Sequence, residues 1–410
     1  MYRFLILVFS FALPIDCLSQ NFGFKIKENR SKIMIPVEVL NNMIVVPVVL
    51  NDQIPLKFIL DTGVRSTVLT QKTYSDILGL TYSKEYSISG PGGEKLVDAF
   101  VTDNVSLDLP GVRGEGHSML VLDKDYLQLR NYLGAEVHGI LGYELFSRFI
   151  IQMDYERKRL TLMLPERFKK KRRYQTLPIV VQDTKPYVIS TTSMNDSVQL
   201  ETKLLMDTGA SHGLILEQES DELIEIPEKN LNSVIGRGLG GVITGKIGRI
   251  KSLELGKYTI KNIIANFPDP NSYTDTLFFK TYVKRNGALG GEILSRFSLI
   301  FNFPQEEIYI KKNSSFKENF NYDMSGITIK ALGARLRNFE ITELRPESPG
   351  QLAGLEVGDQ ILAVNGTPVY KMTLNQVNGY FNSKPGKRVS VEVEREGRRV
   401  KVDFRLRNQI

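Results

Sequence analysis

The tripeptide Asp-Thr-Gly occurs twice in this chain of 410 residues, and each copy directly follows an apolar run. The first copy, residues 61–63, follows Phe-Ile-Leu at 58–60, and the second, residues 207–209, follows Leu-Leu-Met at 204–206. One copy would be weak evidence, because Asp and Gly are common wherever a strand enters a turn. Two carboxylates that face each other can share one proton, so that one acts as base and the other as acid. The pair therefore predicts a site built from both halves of the chain.

The surroundings of the two copies are repeated as well. Residues 139–149 and 287–297 are identical at seven of eleven positions and lie 148 residues apart, while Asp61 and Asp207 lie 146 residues apart. Self-similarity at such a long period indicates a duplicated unit. Each copy is close to domain size, so the repeat predicts two lobes and not a solenoid.

These motifs resemble the aspartic peptidase superfamily, in which each lobe contributes one Asp-Thr-Gly to a shared active site. The resemblance covers residues 30–313. Residues 140–142 and 288–290 resemble the second signature of the family, which packs beside the Asp-Thr-Gly loop. The resemblance implies a mainly β fold with two tandem retropepsin-like lobes in one bilobal protease, because the lobes are short like retroviral-type subunits.

The resemblance also implies roles for the residues of both copies. Asp61 and Asp207 are expected to be catalytic, activating a water that attacks a peptide carbonyl without a covalent intermediate. The predicted supporting residues are Thr62, Gly63, Thr208 and Gly209. The threonines would bond across to the opposite lobe, and the glycines would permit a tight turn. Arg65 is a departure from the small residues usual after this motif, and it would either bias which Asp is ionised or point to solvent.

Glycine-rich segments lie between the two signatures in both lobes. The predicted flap glycines are Gly90, Gly92, Gly93, Gly238, Gly240 and Gly241. Two interpretations are open: the segments are flaps that close over an extended substrate, or they are plain hairpin tips. Glycine in both copies, with no clear single-flap Tyr, favours two flaps of the retroviral type.

The C-terminal residues 323–410 resemble a PDZ domain of the bacterial protease-associated form. The resemblance is carried by Ser348-Pro349, Ala-Gly-Leu at 353–355 and the segment GDQILAVNG at 358–366. Asn-Gly in that segment is a hairpin signal. PDZ domains bind an extended peptide by strand addition and hold its terminal carboxylate in a nest of backbone N–H groups.

Two PDZ features are predicted from the same resemblance. Residues 374–381 are expected to form the helix that lines the groove, and the carboxylate loop is expected near residues 336–339. That stretch lacks the family's glycine. Binding of C-terminal peptides and docking on the protease lobes therefore remain open alternatives.

The remaining pattern consists of short Val- and Ile-rich strands, with turns that predict antiparallel hairpins. Short helices are expected at residues 73–78, 143–149 and 292–297, and a polar linker at residues 311–322. The basic run at residues 169–173 is interpreted as a solvated connector between the lobes. Contact with an anionic membrane or nucleic acid is the alternative, but no nucleic-acid motif supports it.

Other catalytic classes find little support. The histidines His117, His138 and His212 are scattered without a metal-ligand spacing and are interpreted as ordinary loop or surface residues. No Gly-x-Ser-x-Gly elbow occurs. We expect no cofactor and no metal.

The N-terminal residues 1–19 predict a secretory signal peptide. Arg3 precedes an apolar stretch at residues 4–13 that is too short to span a bilayer. Cleavage is expected after Ser19, with lipidation of Cys17 as the alternative. Cleavage would remove the single cysteine of the chain, which fits a bacterial periplasm, cell surface or secreted location, with no transmembrane segment left.

The sequence thus predicts four units: a signal peptide (1–19), lobe 1 (20–172), lobe 2 (173–313) and a PDZ domain (323–410). The expected function is that of an exported aspartic endopeptidase, a monomer acting on peptide or protein substrates. The alternative is a non-catalytic peptide-binding protein that reuses the protease groove. Retention of both Asp61 and Asp207 favours the enzyme.

Overall fold

A computed structural model describes residues 23–28, 30–93, 96–270 and 283–410. The predicted signal peptide and Cys17 lie outside the described residues. The described chain is mainly β, and its strands fall into the two lobes and a C-terminal domain.

Lobe 1 contains fourteen strands and three short helices among its described residues. They are β1 (Gly23–Ile26), β2 (Lys32–Pro36), β3 (Glu38–Leu40), β4 (Met43–Leu50), β5 (Ile54–Leu60), β6 (Val68–Leu69), α1 (Lys72–Ile77), β7 (Lys84–Ile88), β8 (Val97–Val105), β9 (Leu107–Asp108), β10 (Val112–Glu115), β11 (His117–Leu122), α2 (Leu129–Leu133), β12 (Gly139–Leu141), α3 (Tyr143–Arg148), β13 (Ile150–Asp154) and β14 (Arg159–Met163). A 3-10 turn at Pro165–Arg167 follows.

Lobe 2 contains eleven strands and one short helix among its described residues. They are β15 (Gln175–Pro178), β16 (Val180–Gln182), β17 (Lys185–Ser193), β18 (Gln199–Met206), β19 (Leu214–Leu216), β20 (Asn230–Gly238), β21 (Gly241–Leu255), β22 (Tyr258–Pro268), β23 (Gly287–Leu289), α4 (Gly291–Leu294), β24 (Phe297–Asn302) and β25 (Glu307–Lys312). Short 3-10 turns lie at Gln218–Ser220, Phe303–Gln305 and Ser314–Lys317.

The main sheets of the two lobes have matching strand orders. Lobe 1 has the order β3-β4-β5-β12-β6-β11-β8-β7, with β9 beside β4, and lobe 2 has β16-β17-β18-β23-β19-β22-β21-β20. In both, the strand that precedes Asp-Thr-Gly pairs in parallel with the strand of the second signature, β5 with β12 and β18 with β23. The duplication seen in the sequence is therefore a duplication of the fold.

A third sheet joins the lobes, in the order β15-β25-β24-β13-β14-β2. The lobes meet where β13 pairs antiparallel with β24, as at Ile151 and Phe301. The outermost strands, β2 and β15, each end in a proline, which is tolerated at a sheet edge because no ladder partner needs its missing N–H. This sheet contains strands from both lobes, so it does not mark where one lobe ends and the next begins. The lobe boundary at residue 172 stays a prediction.

Aromatic side chains pack beneath the shared sheet. The ring of Phe146, on α3, lies 5.7 Å from that of Phe301 and 5.2 Å from that of Phe303, measured between ring centroids. The basic run lies in the crossover from β14 to β15, where Lys171 donates a hydrogen bond to Gln152 over 2.6 Å.

The C-terminal domain is a small sheet with two helices. Its elements are β26 (Ile327–Leu332), β27 (Asn338–Leu344), α5 (Pro349–Leu352), β28 (Gln360–Val364), β29 (Thr367–Pro368), a 3-10 turn (Val369–Lys371), α6 (Leu374–Phe381), β30 (Arg388–Arg395) and β31 (Arg398–Arg405). The sheet order is β26-β27-β28-β30-β31, with β29 beside β28. Thr373 begins α6 with a capping box, which the Gln at position 376 completes.

The expected polar linker at residues 311–322 is wrong in two respects. Its first residues belong to β25, and Phe320 and Tyr322 are buried, at 3% and 8% exposure. The guanidinium of Arg296 lies 3.7 Å from the ring centroid of Phe320. The aromatic side chains therefore pack this segment against lobe 2.

Candidate active site

The two Asp-Thr-Gly turns meet between the lobes. The N–H of Asp61 donates to the carbonyl of Leu141 over 2.9 Å, and the N–H of Asp207 donates to that of Leu289 over 2.8 Å. A Cβ atom added to Gly209 would lie 2.2 Å from Oδ2 of Asp61, and one added to Gly63 would lie 3.4 Å from Cγ of Asp207. Each turn thus approaches the carboxyl group of the other lobe, and no side chain larger than hydrogen fits at Gly209 without displacing Asp61.

The two threonines form a crossed pair beneath the carboxyl groups. The N–H of Thr62 donates to Oγ1 of Thr208 over 3.1 Å, and the N–H of Thr208 donates to Oγ1 of Thr62 over 3.0 Å. Each hydroxyl in turn donates to the carbonyl that precedes the Asp of the opposite lobe, that of Met206 or Leu60. Both threonines are at most 1% exposed, so these bonds tie the two turns together out of contact with water.

The environments of the two carboxyl groups differ. Asp61 is buried, whereas Asp207 is half-buried. Burial raises the pKa of Asp61 well above its usual range, and the negative charge of Asp207 raises it further. The N–H of Gly63, 2.6 Å from Oδ1 of Asp61, and the charge of Lys185 oppose this shift in pKa. The raised pKa of Asp61 is what allows the pair to retain a proton.

The second signature packs directly beneath the turns, as expected. A Cβ atom at Gly142 would lie 2.3 Å from the carbonyl oxygen of Val64, and one at Gly290 would lie 2.2 Å from that of His212. The backbone of the Asp-Thr-Gly loop can approach this closely only because glycine has no side chain.

Arg65 contacts lobe 2. Neither of the two roles expected from the sequence, an effect on the ionisation of the Asp pair or a side chain that points to solvent, included this contact. Its guanidinium forms an ion pair with Asp183, in the turn between β16 and β17. Lys185 follows in the same hairpin, and its charge acts on Asp61. Sequence reasoning missed Lys185 because nothing near it in the chain connects it with lobe 1.

The six predicted flap glycines lie in two hairpin tips that touch. The tips join β7 to β8 and β20 to β21. The N–H of Gly240 donates to the carbonyl of Pro91 over 3.0 Å, and a Cβ atom at Gly92 would lie 2.3 Å from the carbonyl oxygen of Gly241. Leu239 packs against an apolar cluster of lobe 1 that includes Ile88. Tips that cross between lobes favour flaps over plain turns.

The interpretation of the histidines as loop or surface residues is wrong for His117, whereas His138 lies in the loop before β12, although it is buried. They are 6% and 8% exposed, and His117 lies in β11. His212 packs beside Gly290, and burial lowers its pKa to about 4. Among the described residues, no cluster of three or more His, Cys, Asp or Glu side chains has the arrangement of a metal site.

A family model described as aspartyl protease matches residues 46–145 and 190–292, and one described as PDZ domain matches residues 340–395. The chain contains an aspartyl protease domain and a PDZ domain. Each protease segment includes one Asp-Thr-Gly and one second signature, so the matched segments are the two lobes. No curated protein matches the chain.

The carboxylate loop of the PDZ domain lies elsewhere than predicted. The helix α6 packs on β26, the edge strand, so the loop that precedes the groove strand is residues 323–326 and not residues 336–339. This loop does contain a glycine, Gly326, with φ of +76°. The N–H groups of Ser325 and Gly326 donate to the carboxylate of Asp323 over 3.0 and 2.6 Å. The side chain of Asp323 thus occupies donors that a peptide carboxylate would need.

The opposite end of the PDZ groove contacts lobe 1. Asn131, on α2, donates to the carbonyl of Ala331 over 2.7 Å, and Arg130 donates to that of Ala334 over 2.9 Å. A Cβ atom at Gly134 would lie 2.5 Å from Cβ of Leu374, the first residue of α6. The PDZ domain is therefore docked on the protease domain. Within the described part of the chain, no helix is long and apolar enough to cross a membrane.

Proposed function

We propose that this protein is an aspartic endopeptidase that hydrolyses peptide bonds with a water activated between Asp61 and Asp207. The observation that carries the proposal is the crossed threonine pair, because it fixes two carboxyl groups, one from each lobe, within reach of each other. Such rigid placement is what catalysis by a carboxyl pair requires, since the reacting groups must hold their geometry through the reaction.

The different burial of the two carboxyl groups supports an assignment of roles. Asp207, the more exposed of the two, is the ionised base that takes a proton from the water. Asp61, buried and with a raised pKa, holds the shared proton, donates a hydrogen bond to the developing oxyanion and passes the proton toward the leaving amine. The hydroxide equivalent adds to the peptide carbonyl, and the C–N bond then breaks.

The touching hairpin tips are proposed to close over an extended substrate. Glycine at the tips permits the close backbone approach and the positive φ of Gly92, +113°, and Gly241, +131°. A substrate enters when the tips separate, and their closure shields the reacting groups from bulk water.

The PDZ domain is proposed to act by intramolecular docking. Asp323 fills part of the carboxylate loop, and α2 of lobe 1 bonds to the far end of the groove strand. Both ends of the groove are thereby engaged by the chain itself. We propose export as well, on the basis of residues 1–19, and a monomer, because both carboxyl groups come from one chain.

The test compares the wild type with Asp61→Asn and Asp207→Asn in a mixed peptide library read by mass spectrometry. Each substitution removes the base or the shared proton and should lower kcat/KM by at least about a thousandfold. Thermal unfolding of each variant provides the control for folding. Near-wild-type turnover by either variant would contradict the two-carboxyl assignment, and peptide binding without any cleavage by the wild type would favour the non-catalytic alternative.

A further inference from the structure

A cavity of about 300 Å³ is lined by three parts of the molecule. Ser211 and His212 line it from the loop after the second Asp-Thr-Gly, and residues 233–235 line it from the flap strand β20. Glu343 and Arg345 line it from β27 of the PDZ domain and the loop that follows. Ser211 lies four residues after Asp207, so this wall continues the turn that carries the carboxyl group of lobe 2.

Two carboxylates in the wall have unused hydrogen-bonding capacity. One oxygen of Glu343 pairs with Arg237, but its Oε2 is buried and has no partner. Among the described residues, no donor bonds to the carboxylate of Glu292, and the nearest cation, Nη2 of Arg296, lies 3.9 Å from it. A buried acceptor without a donor costs free energy, so Oε2 of Glu343 is suited to a ligand that brings donors. The carboxylate of Glu292, 26% exposed, is open to the same ligand.

The corresponding glutamate of lobe 1 shows that the open acceptor is particular to lobe 2. Glu144 stands at the same position of the second signature as Glu292. It accepts a hydrogen bond from Thr67 over 2.8 Å and lies 3.4 Å from Nδ1 of His117. The repeat has Gly213 in place of Thr67, and a Cβ atom there would lie 3.1 Å from Oε2 of Glu292. In lobe 1 the glutamate is hydrogen-bonded within the lobe, whereas in lobe 2 the equivalent Glu292 faces the cavity.

The wall contains hydrogen-bond donors as well. Arg345 is 9% exposed; its Nη2 donates to the carbonyl of Asp323 over 3.0 Å, and its Nε–H is buried without a partner. His212 is neutral, because burial lowers its pKa to about 4, and its Nε2 is likewise unpaired. Ser211, Asn266 and Asp323 also line the cavity. Of the carboxylates in its wall, Glu343 has a buried Oε2 without a partner, and Glu292 accepts from no donor among the described residues.

We propose that this cavity is a substrate pocket for a basic side chain, Lys or Arg, whose cationic group donates hydrogen bonds to Glu292 and Glu343. An ammonium or guanidinium group carries several N–H donors and no acceptor, which matches the unbonded carboxylate oxygens of Glu292 and Glu343. The spare N–H of Arg345 suits a carbonyl of the substrate backbone. The proposal rests on the proposed peptidase function and assigns the PDZ domain a direct part in specificity.

The experiment uses the full chain and a peptide series in which each position around the scissile bond is varied among Lys, Arg, Leu and Glu. At one position the wild type should cleave the Lys and Arg peptides at least about tenfold better than the Leu and Glu peptides, since one charge-assisted hydrogen bond is worth about that factor. Glu343→Gln should lower kcat/KM for the basic peptides by about tenfold and change the Leu peptide by less than about twofold. Glu292→Gln should act in the same direction.

Two further variants separate charge recognition from general disturbance. Glu340→Gln is the matched control, because Glu340 lies on the same strand as Glu343 and pairs with Lys330 over 2.9 Å outside the cavity. It should leave the basic preference unchanged. Arg237→Gln removes the flap partner of Glu343 and should retain or strengthen the preference, because it leaves that carboxylate free.

The outcomes distinguish the two levels of proposal. Cleavage without a basic preference at any position would overturn the pocket but not the peptidase. An equal loss of preference in Glu340→Gln, or its loss in Arg237→Gln, would also overturn the pocket. If Glu343→Gln folds poorly, the test rests on Glu292→Gln alone. A preference for the Lys and Arg peptides that Glu292→Gln leaves unchanged would then refute the proposal. Absence of all cleavage by the wild type would instead count against the proposed function.

Discussion

Lobes 1 and 2 have the same strand order and the same signature loops, yet their surroundings differ. Asp61 is buried, while Asp207 is half-buried. The glutamate of the second signature is hydrogen-bonded in lobe 1 and open to a cavity in lobe 2. Duplication therefore gives the two lobes the same backbone geometry at the site. The neighbours of equivalent residues differ, however, and these neighbours determine how buried each residue is and which hydrogen bonds it forms.

The flaps show the same contrast. In lobe 1 the flap strands β7 and β8 have five and nine residues, and in lobe 2 the strands β20 and β21 have nine and fifteen. The longer hairpin carries Arg237, which lies 4.3 Å from the ring centroid of Tyr132 in lobe 1 and pairs with Glu343 of the PDZ domain. The flap of lobe 2 thus contacts both lobe 1 and the PDZ domain.

The largest expected difference between the lobes concerns the glycines of the two turns. Gly209→Ala places a methyl group 2.2 Å from the carboxyl group of Asp61, whereas in Gly63→Ala the nearest carboxyl atoms are Oδ1 of Asp61 at 3.1 Å and Cγ of Asp207 at 3.4 Å. Displacement of a reacting group by about 1 Å costs about a hundredfold in rate, so Gly209→Ala should lose at least that much kcat/KM and Gly63→Ala clearly less. Equal losses in the two variants would show that the dyad is more symmetric than described.

The next prediction concerns the pH dependence of stability, and it compares Glu292, which faces the cavity in lobe 2, with the equivalent Glu144 of lobe 1. Burial raises the pKa of Glu292 from 4.5 to about 7, opposed in part by Arg296 and Arg249. The folded state then binds the proton more tightly than the unfolded state. This contribution to stability is complete below pH 4.5 and is lost as the pH rises through about 7, an amount of about 3 kcal/mol.

Glu292→Gln should remove this pH dependence, as measured by urea unfolding at pH 5 and pH 8. The matched comparison is the lobe 1 variant Glu144→Gln, which changes the glutamate at the same position of the second signature, where Thr67 donates a hydrogen bond to it. A wild-type slope that survives in Glu292→Gln would assign the titration to another group.

A smaller effect is expected from the crossing of the flap tips. Leu239→Ala removes apolar contact with the cluster of lobe 1 that includes Ile88 and Val97, at a cost of about 1 kcal/mol. The closed arrangement of the tips should become less populated by about fivefold. Hydrogen exchange at β7 and β20 should therefore accelerate relative to β30 of the PDZ domain. Unchanged exchange at both flaps would show that Leu239 does not hold the tips together.

The smallest expected effect concerns the pH profile of activity. Val64 and Ala210 follow the two Asp-Thr-Gly motifs and cannot donate a hydrogen bond to a carboxylate. We therefore expect an optimum in the weakly acidic to neutral range, in keeping with the raised pKa of Asp61. A hydroxyl donor, as in Ala210→Ser or Val64→Thr, should move the acid limb of kcat/KM down by about half a pH unit. An unshifted limb in both variants, or a strongly acidic wild-type optimum, would refute this explanation.

Several features were predictable because short stretches of sequence determine them. An apolar run followed by Asp-Thr-Gly predicts a strand that ends in a tight turn, and the repeat indicated two such turns. The groove helix α6, predicted at residues 374–381, has those limits because its capping box is local. The expected linker was wrong because the burial of Phe320 and Tyr322 depends on lobe 2, which is distant in the chain.

By itself, the sequence determined the duplicated β architecture, the candidate carboxyl pair, the glycine-rich tips and the presence of a PDZ domain. Only the tertiary structure decided which strand of that domain forms the groove, that β13 and β24 join the lobes, that Lys185 acts on Asp61 and that Glu343 faces the same cavity as Glu292. The physical reason is that motifs are read from neighbours along the chain. Burial, charge and unsatisfied hydrogen bonds instead depend on residues brought together from three separate units.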